Sequence, residues 1–495
     1  MSASIVVIGS GFAGLSVASF LAKAGHQVTV LEKNASPGGR ARTLNANGFT
    51  FDMGPSWYWM PDVFEKYFAH FGHRVSDLYD LKRLDPAYDI WFTGGERCSI
   101  PADREELFRL FESIELGASH RLEQFLKEAA YKYDLSINDL VHLPGRSLWE
   151  LVDRRIAKGL FDLDMFRSMS AHVRKFFRDE RLIQLLEFPV LFLGATAKKT
   201  PALYSLMNHA DLTLGTWYPM GGMHSVVKAM VHVAEQQGVR ILCNENVEGI
   251  DVENGRASSV RTAVHSYKAD FVVGAADYNH VEQHLLPKPY RHYTEKYWNS
   301  RHLAPSALIH YLGIDRRIEG LAHHNLVFDR SAEVHAHQIY DDPQWPTDPQ
   351  FYVSAASMTD PTVAPPGCEN LVLLVPVATG LQDSDEVRER YYHLLTDRLE
   401  GMLGQEIRSH VIFKKSYAHR DFISDHNAFK GNAYGLSNTL LQTANLKPRI
   451  KSNRVSNLYF TGQLTVPGPG VPPALISGQV VARELMKDQR GRRFT

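Results

Sequence analysis

The chain has 495 residues, 44% of them apolar, with 54 basic and 55 acidic side chains and a net charge of −1. That length exceeds one ordinary core, so two or more domains are expected, and the composition excludes a disordered or collagen-like chain. The balanced charge offers no global basis for nucleic-acid binding, and three scattered cysteines, Cys98, Cys243 and Cys368, form no metal or redox spacing and suit a reducing compartment.

In chain order, residues 5–8 form a short unbroken apolar run, the pattern of a strand buried on both faces of a parallel sheet. Gly9, Gly11 and Gly14 follow in the spacing G-x-G-x-x-G. The first permits a tight turn, the second lets backbone approach a pyrophosphate, and the third lets helix lie against strand. A helix over 13–24 then aims its free amides at the phosphates. A second strand over 27–31 leads to Glu32, whose carboxylate suits both ribose hydroxyls of an adenosine. Gly38-Gly39-Arg40-Ala41-Arg42 adds a second close backbone approach and two fixed cations, which points to FAD rather than NAD.

Glu32 followed by Gly38-Gly39-Arg40 and then Phe51-Asp52-Met53-Gly54-Pro55 resembles the FAD-dependent amine oxidase and carotenoid desaturase superfamily. The aromatic cluster at Trp57 and Trp59 reads either as core or as a hydrophobic wall over the flavin ring. Residues 62–209 are mostly helical in pattern, with amphipathic pieces over 105–111 and 121–131. No run of about 18 apolar residues suggests a spanning helix. The most apolar helical stretch, 182–197, carries Glu187 and Pro189 and reads as core or as an interfacial element. No secretory signal is visible, and the 23 histidines include no metal-binding grid, so no metal is expected.

A further block starts at Trp217-Tyr218-Pro219-Met220-Gly221-Gly222, followed by a helix over 224–237 and strands over 239–243, 247–253 and 257–264. Asn254-Gly255 is a strong hairpin signal. An apolar strand over 269–276 precedes Asp277. Residues 290–445 alternate strands and helices, with Asp383 and Glu386 read as a capping box and Gly404 as a helix stop. Near the end, a strand over 457–460 runs into Thr461-Gly462, a Pro/Gly loop, and a helix starting near Pro472-Pro473.

That last block is similar to the C-terminal signature of the bacterial and fungal phytoene desaturase family, and Trp217 to Gly222 and Leu321-Ala322-His323-His324 also look like family positions. Val466 stands where the family usually has His, Leu464 replaces a Gly, and Met220 sits where a basic residue is common. The resemblance implies an α/β fold of the two-dinucleotide-binding-domain flavoprotein type, with an inserted mixed-sheet substrate domain and a helical, membrane-facing region. Residues 1–72, 216–285 and 446–490 would form a discontinuous FAD-binding domain, 73–215 the helical region and 286–445 the substrate domain. The cofactor-binding set is expected to be Gly9, Gly11, Phe12, Ala13, Gly14, Glu32, Lys33, Gly38, Gly39, Arg40, Arg42, Pro55, Val247, Gly462, Val471 and Pro472. Trp57, Trp59, Tyr218 and Phe192 are candidates for a dry substrate pocket. Glu150 and Arg154, one helical turn apart, are weak polar candidates, an exposed ion pair being the alternative.

The implied reaction is dehydrogenation of phytoene toward lycopene or neurosporene, by hydride transfer to the flavin, with quinone or oxygen as terminal acceptor. The alternatives are a related FAD carotenoid oxidoreductase (hydroxycarotenoid desaturase, ketolase or polyene isomerase) and a flavin-bound carotenoid carrier without turnover. A hydrocarbon of this kind resides in a bilayer, so a cytoplasmic protein associated peripherally with one leaflet is expected, aided by the basic tail 487–493.

Overall fold

The computed structural model describes residues 2–146, 167–439, 442–443 and 446–491, with the side chains of 192, 193 and 491 left aside. Strand β1 (Ser4–Ile8) lies at the centre of a five-stranded sheet and is buried along almost its whole length. Its neighbours are Phe271–Gly274 on one side and β2 (Gln27–Leu31) on the other, with Leu458–Phe460 and Arg240–Leu242 at the edges. All four pairings are parallel. A parallel sheet has to be covered on both faces, and this explains the unbroken apolar strands.

Helix α1 (Phe12–Lys23) connects β1 to β2 and packs against the C-terminal helix Val471–Gly491 and the helix His224–Gln236. The crossing of α1 with the C-terminal helix is close because small residues meet there. A Cβ on Gly478 would stand 2.6 Å from the Ala13 carbonyl oxygen. Leu15, Leu21, Val480 and Leu485 fill the same core, each contributing about 1.5–3 kcal/mol by leaving water.

A second sheet has seven strands, in the order Val411–Tyr417, Ser306–Ile314, Glu369–Val377, Phe351–Ser354, His324–Phe328, Tyr88–Phe92, Arg97–Ile100. Its last two strands come from the stretch read as mostly helical. Helix Asp385–Leu403 covers one face, seating Tyr391, Leu395 and Leu399 on Leu308, Leu312, Leu371 and Leu373. The predicted hairpin forms at Asn254-Gly255, both at positive φ, between Val247–Glu253 and Arg256–Thr262.

One local reading is corrected. The cap of helix Asp385–Leu403 is Ser384, whose side chain accepts the Val387 amide, whereas Asp383 pairs with Arg388 at 2.5 Å. A buried guanidinium draws the carboxylate away from the helix end. The stretch 182–197 is interrupted near Pro189, as its sequence suggests: helix Glu180–Glu187 stops and a 3₁₀ segment, Phe188–Leu193, follows. Leu182, Ile183, Leu185, Leu186 and Val190 are buried, and Leu191, at 40% exposure, is the exposed large apolar side chain among those described there. No described helix is long and apolar enough to cross a membrane.

Candidate active site

The turn between β1 and α1 opens a cleft of about 280 Å³ at the C-terminal ends of the parallel strands, where open α/β sheets bind ligands. Of the residues expected from sequence, Gly9, Gly11, Phe12, Ala13, Glu32, Lys33, Gly38, Gly39, Arg40, Pro55, Val247, Gly462 and Val471 line it. Gly14, Arg42 and Pro472 stand outside the lining.

Gly14 acts in packing. A Cβ there would lie 2.0 Å from the Gly9 carbonyl oxygen. A Cβ on Gly11 would meet nothing within 4 Å and would stand in the cleft itself. The backbone is thus bare where a pyrophosphate approaches, with the first turn of α1 beside it.

Glu32 is buried and held by four hydrogen bonds. Its Oε2 accepts from the Ser10 amide (3.0 Å) and hydroxyl (2.6 Å), and Oε1 from the Asn34 amide and side-chain amide (both 2.9 Å). A carboxylate presents about four lone-pair sites, so these contacts hold Glu32 in place in the cleft lining, and a ribose hydroxyl there would share an oxygen with Ser10 or Asn34.

Arg40 is partly buried. One Nη donates to the Asn432 carbonyl at 3.1 Å, and its Nε is buried without a partner. Burial lowers its pKa, and the Asp277 carboxylate nearby opposes that shift. Arg42 donates instead to Asp425, at 2.6 Å, and to the Gly39 carbonyl. Lys33 donates to the Ser424 carbonyl and to Asn427 Oδ1. These contacts tie the nucleotide side to helix His419–His426, so that Phe422, Asp425, His426 and Tyr434 also line the cleft. Sequence reasoning missed this segment because it carries no motif and meets the glycine turn only through folding. Asp277, which also lines the cleft, had a local signal in the apolar strand just before it.

At the far end Val471 and Ala474 of the C-terminal helix reach the lining. The Ser477 hydroxyl anchors the preceding turn by accepting from the Gly462 amide at 3.1 Å and meeting the Thr461 hydroxyl at 2.9 Å. A helix N-terminus there favours negative charge.

Trp57, Trp59 and Tyr218 lie outside this lining. Trp57 stacks on His324 with ring centroids 4.2 Å apart, and Trp59 donates from Nε1 to the Thr216 hydroxyl at 2.8 Å. Tyr218 lines a smaller cavity next door. Glu150, Arg154 and the side chain of Phe192 lie outside the described residues.

The residues present fit FAD. The bare backbone at Gly11 and the unpartnered buried Arg40 Nε suit a diphosphate, and Glu32 suits the ribose. When bound, the flavin supplies a two-electron acceptor. The protein's own groups fix its position, exclude water and set the local charge.

Comparison with known proteins gives the family and the fold. The family model described as flavin containing amine oxidoreductase matches residues 12–486. A carotenoid 3,4-desaturase of Haloarcula japonica is 40% identical over 98% of each chain. A zeta-carotene-forming phytoene desaturase of Myxococcus xanthus is 34% identical, covering 97% of this chain and 93% of that protein. Among solved structures, an oxidoreductase from Methanosarcina mazei superposes with a TM-score of 0.64 at 18% identity, over 97% of this chain and 100% of its own. At that identity the likeness shows the fold alone.

Proposed function

The chain belongs to the flavin-containing amine oxidoreductase family, among its carotenoid desaturases, and from that membership we propose that it dehydrogenates a CH–CH bond of a long polyene carotenoid, with FAD as hydride acceptor. The observation that carries the reading is the 40% identity, over 98% of both chains, to a protein named for carotenoid 3,4-desaturation. It favours a bond near the end of an already unsaturated chain. Phytoene desaturation toward lycopene is the second reading, favoured by the relative at 34% identity. In this reading residues 1–72, 216–285 and 446–490 serve as the FAD-binding domain, 286–445 as the substrate domain and 73–215 as a mainly helical region that lends Tyr88–Phe92 and Arg97–Ile100 to the substrate-domain sheet, and quinone or oxygen reoxidises the flavin.

Expression in two bacteria, one accumulating phytoene and one lycopene, separates the readings by pigment spectra and mass. A 3,4-desaturase lowers the mass of lycopene by two hydrogens per step and leaves phytoene unchanged, whereas a phytoene desaturase turns the colourless strain coloured. No product in either strain, with purified protein whose flavin stays oxidised when carotenoid is added without oxygen, points to a non-catalytic carrier and rejects the proposal.

A polyene hydrocarbon partitions into lipid, at about 0.8 kcal/mol per buried CH₂. We place the protein peripherally on one leaflet, with Leu191 as a candidate contact. Leu191→Glu is expected to lower co-sedimentation with liposomes several-fold and turnover of liposomal substrate with it, while FAD stays bound. Unchanged sedimentation and turnover would remove Leu191 from any lipid contact.

A further inference from the structure

Beside the large cleft lies a second cavity of about 20 Å³. It shares Gly54, Ile309 and Leu374 with the cleft, so the two are immediate neighbours. Asp52, Ser56, Tyr218, His323 and Tyr352 give it a polar lining. A cavity of this size with polar groups in its lining has room for one water molecule.

The two carboxylate oxygens of Asp52 have different surroundings. Oδ2 accepts from the Met223 amide at 3.0 Å, at the start of helix His224–Gln236. Oδ1 is buried and has no partner. The Gly221-Gly222 turn is fitted against this oxygen: Gly222 has φ +86°, and a Cβ there would stand 2.7 Å from Oδ1. Any side chain at Gly222 would displace the carboxylate.

Removing hydrogen from a CH–CH bond has two parts. One hydrogen leaves with its electron pair to the flavin as the neighbouring carbon gives up a proton, whose bonding pair becomes the new C=C bond. A polyene carries no base of its own. We propose that Asp52 takes this proton, through one water for which the small cavity has room. The substrate is oxidised by two electrons, the flavin is reduced by the same two, and the proton ends on Asp52 Oδ1. The proposal rests on the desaturase reading above.

The surroundings suit that task. Burial, and then the charge of Asp360, raise the Asp52 carboxyl to about 7 against the pull of the Met223 and His224 amides. An acceptor poised near neutrality both gains and releases a proton readily. Asp360 sits on the other side of the turn, accepting from the Gly221 amide at 2.6 Å and the Tyr218 hydroxyl at 3.3 Å. Tyr218, Tyr311 and Tyr352 also feel the Asp52 charge, and burial keeps all three phenols protonated. His323, whose Nδ1 meets the Thr359 hydroxyl at 2.8 Å, is pushed down to about 3 by burial and stays neutral. Tyr352 bonds Ser56 at 3.0 Å and His324 at 2.6 Å, which fixes the far wall of the cavity.

Asp52→Asn keeps an acceptor for the Met223 amide and removes the proton acceptor. Anaerobic mixing of FAD-loaded protein with lycopene or phytoene is read by flavin bleaching across pH, and the protonated-carboxyl infrared band is titrated without substrate. In the wild type, bleaching is expected to accelerate as pH rises through about 7, where the infrared band is lost. In Asp52→Asn the rate falls by about 10²–10⁴-fold, its pH dependence flattens and the band loses the Asp52 share, leaving that of Asp211, whose carboxyl burial also raises to about 7, with FAD content and Tm unchanged. Asp360→Asn removes a like charge, so both limb and band move to lower pH. A rate within about threefold of wild type with the limb intact in Asp52→Asn overturns the proposal. So does lowered FAD content and Tm with the limb intact, which is what a purely structural role gives. Should Asp52→Asn fail to fold, an unmoved limb and band in Asp360→Asn overturn it. Wild-type protein that bleaches with neither carotenoid while the band still titrates near 7 defeats the desaturase reading instead.

Discussion

Gly14→Ala is expected to give colourless protein, with FAD content at least about tenfold below wild type and a lowered melting temperature. The added methyl would sit 2.0 Å from the Gly9 carbonyl oxygen, 3.1 Å from its carbon and 3.2 Å from the Ala275 Cβ. Two of those atoms are backbone, and the Gly9 amide is itself tied to the Leu31 carbonyl at 2.8 Å. No rotamer relieves such a contact, so α1 or the turn must move. Overpacking of this kind costs about 1–3 kcal/mol or more, and the displaced elements carry the diphosphate cradle. The flavin-to-protein absorbance ratio and a circular-dichroism melt are the checks. Yellow protein with full FAD and wild-type melting would show that α1 tolerates the shift.

Glu32→Ala is expected to weaken FAD binding and to lower stability in the absence of FAD. The substitution removes the acceptor for two backbone amides and two side-chain donors in a buried site. A hydrogen bond to a charged group contributes about 1.5–3 kcal/mol, and each buried donor left without a partner costs about 1–3 kcal/mol. A loss of that size at the ribose alone is about a 10- to 100-fold rise in the FAD dissociation constant. Flavin fluorescence titration measures the first effect and urea denaturation of apoprotein the second. Glu32→Gln separates them, since it keeps acceptor capacity at one oxygen and loses the charge. Unchanged FAD retention in Glu32→Ala would take this carboxylate out of the site.

The part of the cleft built by neighbours in sequence was legible before folding. β1, the glycine turn, α1, β2 and Glu32 form one local unit, in which each residue type answers a steric or hydrogen-bonding need at a set spacing. Thr461-Gly462 and the helix that follows were legible for the same reason. Asp383 misled the reading because an acidic residue before a helix suits a cap, while Arg388, one turn on, binds it more strongly. The stretch 182–197 left two readings open because high apolarity does not tell a core segment from a lipid-facing one, and its packing makes Leu182, Ile183, Leu185, Leu186 and Val190 core.

By itself, then, the sequence determined the cofactor class, the unit of β1, glycine turn, α1 and β2, and the Thr461-Gly462 turn with the helix after it, because each of these is encoded within a few tens of residues. The tertiary structure alone decided which residues close the cleft opposite the glycine turn. Phe422, Asp425, His426 and Tyr434 reach it from a helix and loop held there by Lys33, Asn34, Arg40 and Arg42. It alone set Asp52 and Asp360 on either side of one glycine turn, and stacked Trp57 on His324 rather than along the cleft. Such pairings join segments hundreds of residues apart. No local periodicity or spacing encodes them, because the free energy that selects them is the burial and hydrogen bonding of the whole assembled core.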